Sequence, residues 1–486
     1  MNFYNRAIGI VANIATFGGL SKEYERAYFE GAKSTRLNRD FNLSNNHFEL
    51  QASGDRDLLR ARARWLSANN PITKSIDKSI VKNVIGSGIA LQSKISKDDV
   101  KDAALLNTEI EKLWKEFTKK QNFDVTARAS FRKFQKILLK TKLVDGECLI
   151  NCVWTKDKKF PLKFQLIEVD QLDTSKTKNG NNTIFSGIEI DSNGKPIAYH
   201  LRTEINSFSS KRFDAKNIIH FYDPERATQY RGITDYAQTI NNLKDFAAYN
   251  DAEIVKNRVL ASFATFIKTN NVGGNIFNDK KTGEKMGSSD PIKEITTGMI
   301  KYLRPGEEVI TTQSNQLGNS YNDFITTTIR MIAAGRDISY ELAFRDYSQV
   351  NYSSMRGGLI QDNKRFDDEQ NLLVEDALEN MFEMFVESVV LSGALKVPKD
   401  FWENKSKYIN PTWIMPTREW ADPLKDIKSI EKEIELGINS KTRAAAGKGR
   451  NYEDILDEQL KEETMEKEKR AKVGLTKKEG DENENK

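Results

Sequence analysis

Cysteine and histidine are nearly absent from this chain, which holds two of the first and three of the second in 486 residues. Cys148 and Cys152 are four positions apart; if both lie in one strand they stand roughly 13 Å from each other, too far for a disulfide. Such usage points to a reducing compartment. His47, His200 and His220 have no metal-ligand spacing and no Cys/His cluster accompanies them, so a zinc site is excluded. Long apolar runs are missing as well. The nearest approach, residues 7–20 (AIGIVANIATFGGL), contains an asparagine, lacks a small-x-small cleavage pattern and falls short of the roughly 20 residues a membrane span needs. It reads as a short surface or interface helix. A large charge of one sign is also lacking: 75 basic residues face 70 acidic ones, for a net charge of +5. With no global basic field, any contact with nucleic acid is expected to be local and weak.

Catalytic motifs are equally scarce. There is no G-x-x-x-x-G-K-[ST] loop, and Gly86-Ser87-Gly88 lacks the third glycine of a dinucleotide fingerprint and follows a helix instead of a strand. No G-x-S-x-G elbow occurs. Two carboxylate pairs, Asp145 with Glu147 and Asp170 with Asp173, are of the kind that holds Mg²⁺ in a nuclease. Such pairs are frequent in a chain with 70 acids. The reading is therefore of a protein that is not an enzyme and binds no cofactor or metal, with a DNA-processing metal nuclease and a purely structural component kept as alternatives.

What the chain does have is a 38% hydrophobic fraction beside 30% charged residues, enough for a core and for a large solvated or inter-subunit surface. Its length suggests about three structural regions. Residues 57–69 put Leu58, Leu59, Ala61, Trp65 and Leu66 near helical spacing. Pro71 then opens a second helix on Ile72, Ile76, Ile80 and Val84, stopped by Gly86 and Gly88. Further helices are expected over residues 101–117 and 130–143. From residue 144 to 223 the period becomes alternating: Leu162, Phe164 and Leu166; Ile188 and Ile190; Ile197, Tyr199 and Leu201; Ile219 and Phe221. Asp191-Ser192-Asn193-Gly194 supplies a tight turn. These signs give an α+β fold class, mainly helical with an antiparallel β meander.

After Gly232-Ile233-Thr234 a long helix is expected, running to about Phe266 with Tyr236, Ile240, Leu243, Ala247 and Ile254 at helical spacing. Residues 268–319 form a Gly, Asn, Lys and Asp-rich excursion with an expected hairpin, residues 299–303 and 308–312 flanking the turn Arg304-Pro305-Gly306-Glu307. Helix returns over residues 320–335, where Gly335 ends it. Another long helix, residues 354–391, carries Glu375, Glu379, Glu383 and Glu387 opposite Leu378, Met381, Phe382, Phe385 and Val389. That acidic stripe is either an ordinary solvated face or the lining of a cavity that repels DNA. Short helices follow, including 452–463, and the Glu, Lys and Asn-rich tail beyond about Met465 is expected to be disordered.

Between the last two long helices lies the most informative segment, residues 345–356 (RDYSQVNYSSMR). It offers two tyrosines, two amides, three serines and two arginines, a set suited to weak, sequence-blind contact with a sugar-phosphate backbone or to contacts between identical subunits.

Several strings now carry a resemblance. Arg60-Ala61-Arg62-Ala63-Arg64, Asn69-Asn70-Pro71, Asn83-Val84-Ile85-Gly86-Ser87-Gly88-Ile89, Leu143-Val144-Asp145-Gly146-Glu147, Pro224-Glu225-Arg226, Tyr230-Arg231-Gly232, Leu303-Arg304-Pro305-Gly306-Glu307-Glu308, Ala333-Ala334-Gly335, Asp346-Tyr347-Ser348, Val350-Asn351-Tyr352-Ser353-Ser354 and Leu391-Ser392-Gly393-Ala394 resemble, in order, the motifs of lambda-type bacteriophage portal proteins. The resemblance covers residues 24–465. Many positions depart from it toward Lys, Asn or Ile, and the 268–290 excursion and the charged tail are individual to this chain.

The resemblance implies the portal fold, assembled as a dodecameric ring at one capsid vertex of the virion after synthesis in the bacterial cytoplasm. Its implied regions are a wing (1–231, with the β meander at 144–223), a stem helix (232–266), a small α/β clip (267–319), a second stem helix (320–337), a tunnel loop (338–355), a long wing/crown helix (356–399), a crown region (400–465) and the tail (466–486). It implies double-stranded DNA, bound without sequence preference, as cargo, and the terminase large subunit, the major capsid or scaffold proteins and the head-tail connector as partners, with no membrane. Arg345, Tyr347, Gln349, Asn351, Tyr352, Ser353 and Arg356 are the residues expected at the channel.

Overall fold

The structure, a computed structural model, describes residues 36, 44–96, 100–202, 209–261, 265–268, 300–303, 319–416, 423–447 and 452–472. The expected helix at 7–20 and the expected turn at 304–307 lie outside them. Two units are distinguished, residues 1–54 and 55–486. Within the first, the described helix is α1 (Phe48–Ala52).

The second unit opens with α2 (Arg56–Asn69) and α3 (Pro71–Ile85). Asn70 separates them: its extended backbone stops α2, and its side-chain oxygen accepts the N–H groups of Ile72 at 2.9 Å and Thr73 at 3.3 Å. Pro71 occupies the first helical turn, where a missing N–H costs nothing. Ile76, Ile80 and Val84 are fully buried along α3, as their spacing predicts. On α2 the expectation holds in part: Leu66 is buried and Leu59 packs against the core, but Leu58 and Trp65 are exposed and Arg60 is buried, because its guanidinium meets Asp170 of a neighbouring segment.

β1 (Ala90–Ser93) pairs antiparallel with a strand near the C-terminal end, β12 (Pro411–Ile414). Helices α4 (Ala103–Phe117), α5 (Lys120–Phe123) and α6 (Phe131–Asp145) then build the main core around Trp114, Phe117 and Phe123. Gly146 ends α6 with φ 90°, a conformation that favours glycine. A Cβ on Gly146 would strike the Ile233 carbonyl, and one on Gly232 would strike the Gly146 carbonyl, so two chain segments cross backbone to backbone here.

The expected meander is two antiparallel sheets. In the first, β2 (Glu147–Trp154) lies between β3 (Leu162–Ile167) and β9 (Ile218–Tyr222). The second contains β4 (Lys178–Asn179), β5 (Asn182–Phe185), β6 (Ile188–Ile190), β7 (Pro196–Leu201) and β8 (Lys211–Asp214) in sequence order. Asp191 turns β6 into β7, its carboxylate accepting the N–H groups of Asn193 and Lys195 at 2.9 Å each. Cys148 and Cys152 share β2 as unbridged, buried thiols; burial pushes Cys152 up to about 12.

Helix α7 (Ile240–Ala261) starts after a turn at 235–239 and ends short of the expected Phe266. Thr265–Lys268 is instead a strand, β10, paired in parallel with β11 (Ile300–Leu303). The expected hairpin partner, residues 308–312, lies outside the described residues. α8 (Asn319–Gly335) and the short α9 (Tyr340–Phe344) follow. The last long helix is continuous but not uniform: α10 (Tyr352–Leu373) passes through a π turn (Val374–Leu378) into α11 (Glu379–Leu391). Its apolar face is as expected, with Leu378, Met381, Phe382, Phe385 and Val389 buried.

The chain continues through α12 (Lys405–Tyr408), α13 (Pro423–Glu435), α14 (Lys441–Ala446) and α15 (Tyr452–Lys472). Residues 466–472, expected in a disordered tail, are helical, because alternating Glu and Lys at 466–469 are good helix formers. Among the described residues no helix is long and apolar enough to cross a membrane.

Candidate functional site

The polar loop is shorter than residues 338–355 and held at its base. Ser339 caps α9, its hydroxyl accepting the Leu342 N–H at 3.3 Å, while its own N–H and hydroxyl donate to the Asp362 carboxylate at 2.7 and 2.6 Å. Asp362 belongs to α10, so this staple joins the two helices that flank the loop. Burial raises the Asp362 carboxyl above its ordinary value, and the Ser339 bonds pull against that. What is left between α9 and α10 is residues 345–351.

Arg345 turns the chain, with φ 58° in the left-handed region, and its guanidinium lies 3.4 Å from the Ser79 hydroxyl of α3. Asp346 accepts the Ser348 N–H at 3.0 Å and the Tyr340 hydroxyl at 3.2 Å. The Ser348 hydroxyl and N–H hold its carboxyl below the usual aspartate range. Asn351 is also committed: its side chain accepts the Ser354 N–H at 2.9 Å while the Ser354 hydroxyl accepts the Asn351 N–H at 3.1 Å, a reciprocal helix cap.

Tyr347 and Tyr352 are about half exposed, 52% and 47%, and Gln349, Ser353 and Arg356 are exposed. All seven expected residues are exposed, and two of them also shape the loop, Arg345 through its left-handed turn and Asn351 through its helix cap. Ser79, Ser339, Tyr340 and Asp362 were not singled out from sequence, although Ser339 stands at a helix start where a capping residue is favoured.

The two carboxylate pairs considered for a metal are occupied by cations and hydroxyls. Arg64 grips Asp145 with two bonds of 2.7 Å and reaches Asp170 at 2.6 Å, and Arg60 reaches Asp170 at 3.1 Å. Asp173 accepts bonds from Ser175, Ser210 and Arg202. Glu147 is buried with Arg231 at 2.8 Å from both its oxygens and His220 at 2.9 Å. Burial would raise the Glu147 carboxyl, but the Arg231 charge and the His220 and Arg231 bonds hold it well below the usual range. Acids matched to guanidinium groups have little capacity left for Mg²⁺.

The acidic stripe is solvated where expected. Glu375, Glu379 and Glu383 are exposed, and Glu387 is half-buried against Lys405.

A profile of the phage portal protein, lambda family, matches residues 34–370 and so spans both sheets and the anchored loop. The chain belongs to the lambda family of phage portal proteins. A probable portal protein of Halomonas phage phiHAP-1 is 28% identical over 447 residues, covering 88% of this chain and 85% of that one. Portal protein B of Escherichia phage lambda is 21% identical over 444 residues, covering 84% and 83%. A solved chain from the neck of a native gene transfer agent particle covers 82% of this chain and 93% of its own length, with 11% identity and a TM-score of 0.40. This chain is therefore a portal protein of a tailed bacteriophage, a virion component of a structural family. The α+β class read from its period changes agrees with the mixed helical and antiparallel architecture.

Proposed function

We propose that copies of this portal chain close into a ring, a dodecamer, around an axial channel through which double-stranded DNA enters the capsid and later leaves. The contact between subunits is heterologous and closes by rotation, which absorbs much of the charged exterior. In this reading residues 1–231 belong to the wing, α7 and α8 to the stem, the segment between them to the clip, and α10, α11 and the C-terminal helices to the wing and crown. The clip serves the terminase large subunit during packaging and the head-tail connector afterwards; capsid or scaffold proteins surround the wing. Assembly takes place in the bacterial cytoplasm, and the ring occupies the portal vertex of the virion.

The observation that carries this proposal is the family match through the anchored polar loop. A channel for any sequence must avoid base readout and deep phosphate wells, because each would stall movement. Tyr347, Gln349, Tyr352 and Ser353 meet that need with hydroxyls, an amide and rings, and Arg356 adds one steering charge. The chemistry is passive conduction with conformational gating.

Averaged electron-microscope images of the purified protein test the ring: the expected result is a closed ring with an opening wider than the duplex, about 20 Å. Exchanging Tyr347→Ser and Gln349→Ser, with Asn351 kept to cap its helix, should leave rings intact and lower DNA packaging severalfold. Loss of rings in that variant would assign the loop to subunit contacts instead.

A further inference from the structure

Two rows of cations on α3 and α6 have no role in the loop or in the buried ion pairs. Lys74, Lys78 and Lys82 recur every fourth residue on α3, and Arg132, Lys136 and Lys140 do so on α6. The helices run antiparallel: the charge of Lys140 is felt with those of Lys74 and Lys78, and that of Lys136 with those of Arg132 and Lys82. Lys78, Lys82, Arg132 and Lys140 are exposed, and Lys74 and Lys136 are half-buried. Arg132 is steadied by its Nη2 donating to the Gly86 carbonyl at 3.0 Å.

Among the described residues no carboxylate forms an ion pair with any of the six. The nearby acid, Asp77, is turned inward, accepting from Arg336 at 3.2 Å, Tyr236 at 2.7 Å and Ser67 at 2.7 Å. Like charges one helical turn apart destabilise a helix. Desolvation, with the neighbouring cations, holds the Lys136 and Lys140 ammonium groups below the ordinary lysine value. The fold thus keeps six cations together on one face, offset in part by the field of Asp77 at Lys140.

We propose that this double row is a second site for the phosphate backbone of duplex DNA, separate from the loop. Each row spans about 12 Å, eight residues at 1.5 Å, and about 12 Å of duplex carries about seven phosphates. Six cations match that density. The acidic stripe of a second copy, Glu375, Glu379 and Glu383, offers three charges over the same length and would leave half the cations unmet. Five of the six are lysines, which hold phosphate as point charges without the bidentate geometry that reads bases, so the site is blind to sequence. Ser79, the contact of Arg345, lies on α3 beside Lys78, which places the rows next to the anchor of the loop. The inference takes its cargo from the proposed portal channel, but the binding itself requires no ring.

The test is fluorescence anisotropy of a mixed-sequence duplex with the purified chain across a salt series. Lys78→Ala, Lys82→Ala and Lys140→Ala together should weaken binding and make the slope of log affinity against log salt shallower by about 2.7, at about 0.9 per lost phosphate contact. The loop variant Tyr347→Ser with Gln349→Ser should keep the parent slope, and the triple variant should melt no lower than the parent because repulsion is relieved. An unchanged slope overturns the proposal. So does a triple variant that binds DNA as before but no longer assembles, which would make the rows a contact for a second copy's acidic face. Absence of rings in the parent protein, with the slope change intact, would remove the channel reading and leave this site standing.

Discussion

Glu147 shows what single residues contribute here. It begins β2 immediately after the left-handed Gly146, so it points away from Asp145, the last residue of α6, and the two acids reach different arginines. Their spacing in sequence resembled a metal pair; a backbone reversal between them, invisible to a spacing argument, separates their chemistry. Breaking a buried ion pair by removing one partner costs about 3–5 kcal/mol, because the other charge remains buried. Glu147→Ala should therefore destabilise the protein by about that amount in urea unfolding, whereas Glu147→Gln, which keeps the shape and one acceptor, should be milder. The sign of the pH effect follows from the depressed carboxyl. Its contribution is complete above the ordinary value of 4.5 and is lost as pH falls through the lower folded value. Acid unfolding curves of the parent and Glu147→Gln should accordingly converge at low pH and separate above 4.5.

Among the elements, those bounded by local chemistry were legible. Asn70-Pro71 and Gly86 start or stop helices through capping and backbone freedom within a few residues, and the boundaries fell where those residues stand; α8 also ends at Gly335, but there the left-handed residue is Asp337. Elements set by distant partners were not. β2 is buried on both faces, so its residues lack alternation, and its partners β3 and β9 come from separate segments. The polar loop lies between these cases: its exposure was legible in its composition, but its anchor Ser79 is far away in sequence and Asp362 lies well inside the following helix. Asn351→Ala should cost about 1 kcal/mol through the lost cap and speed amide exchange at residues 352–355. Asp362→Ala should do the same at residues 339–342, where Ser339 loses both bonds. Tyr347→Ser, whose ring is half exposed, should leave exchange at both places unchanged.

At the scale of the whole molecule, β2 divides the second unit between two hydrophobic cores. Cys148, Ile150 and Cys152 face the large helical core, while Leu149 joins Ile167, Leu172, Ile188, Tyr199 and Leu201 in a smaller one under the five-stranded sheet. Strand alternation makes this possible, since successive side chains leave β2 on opposite faces. Arg231 fastens the smaller core to the larger: its Nε bonds Glu147 at the start of β2, and its Nη1 donates to the Ser186 carbonyl at 2.7 Å, between β5 and β6. A small core held to the larger by a few charged contacts, this one and those of Arg60 and Arg64 with Asp170, should open below the free energy of global unfolding. In hydrogen exchange read by mass spectrometry, peptides from residues 182–201 should exchange faster than those from 131–145 in the parent. Arg231→Ala should widen that gap, accelerating 182–201 while leaving 131–145 nearly unchanged at low denaturant. Equal acceleration of both regions would mean that the cores unfold as one, and the five-stranded sheet could not then move independently of the helices that anchor the loop.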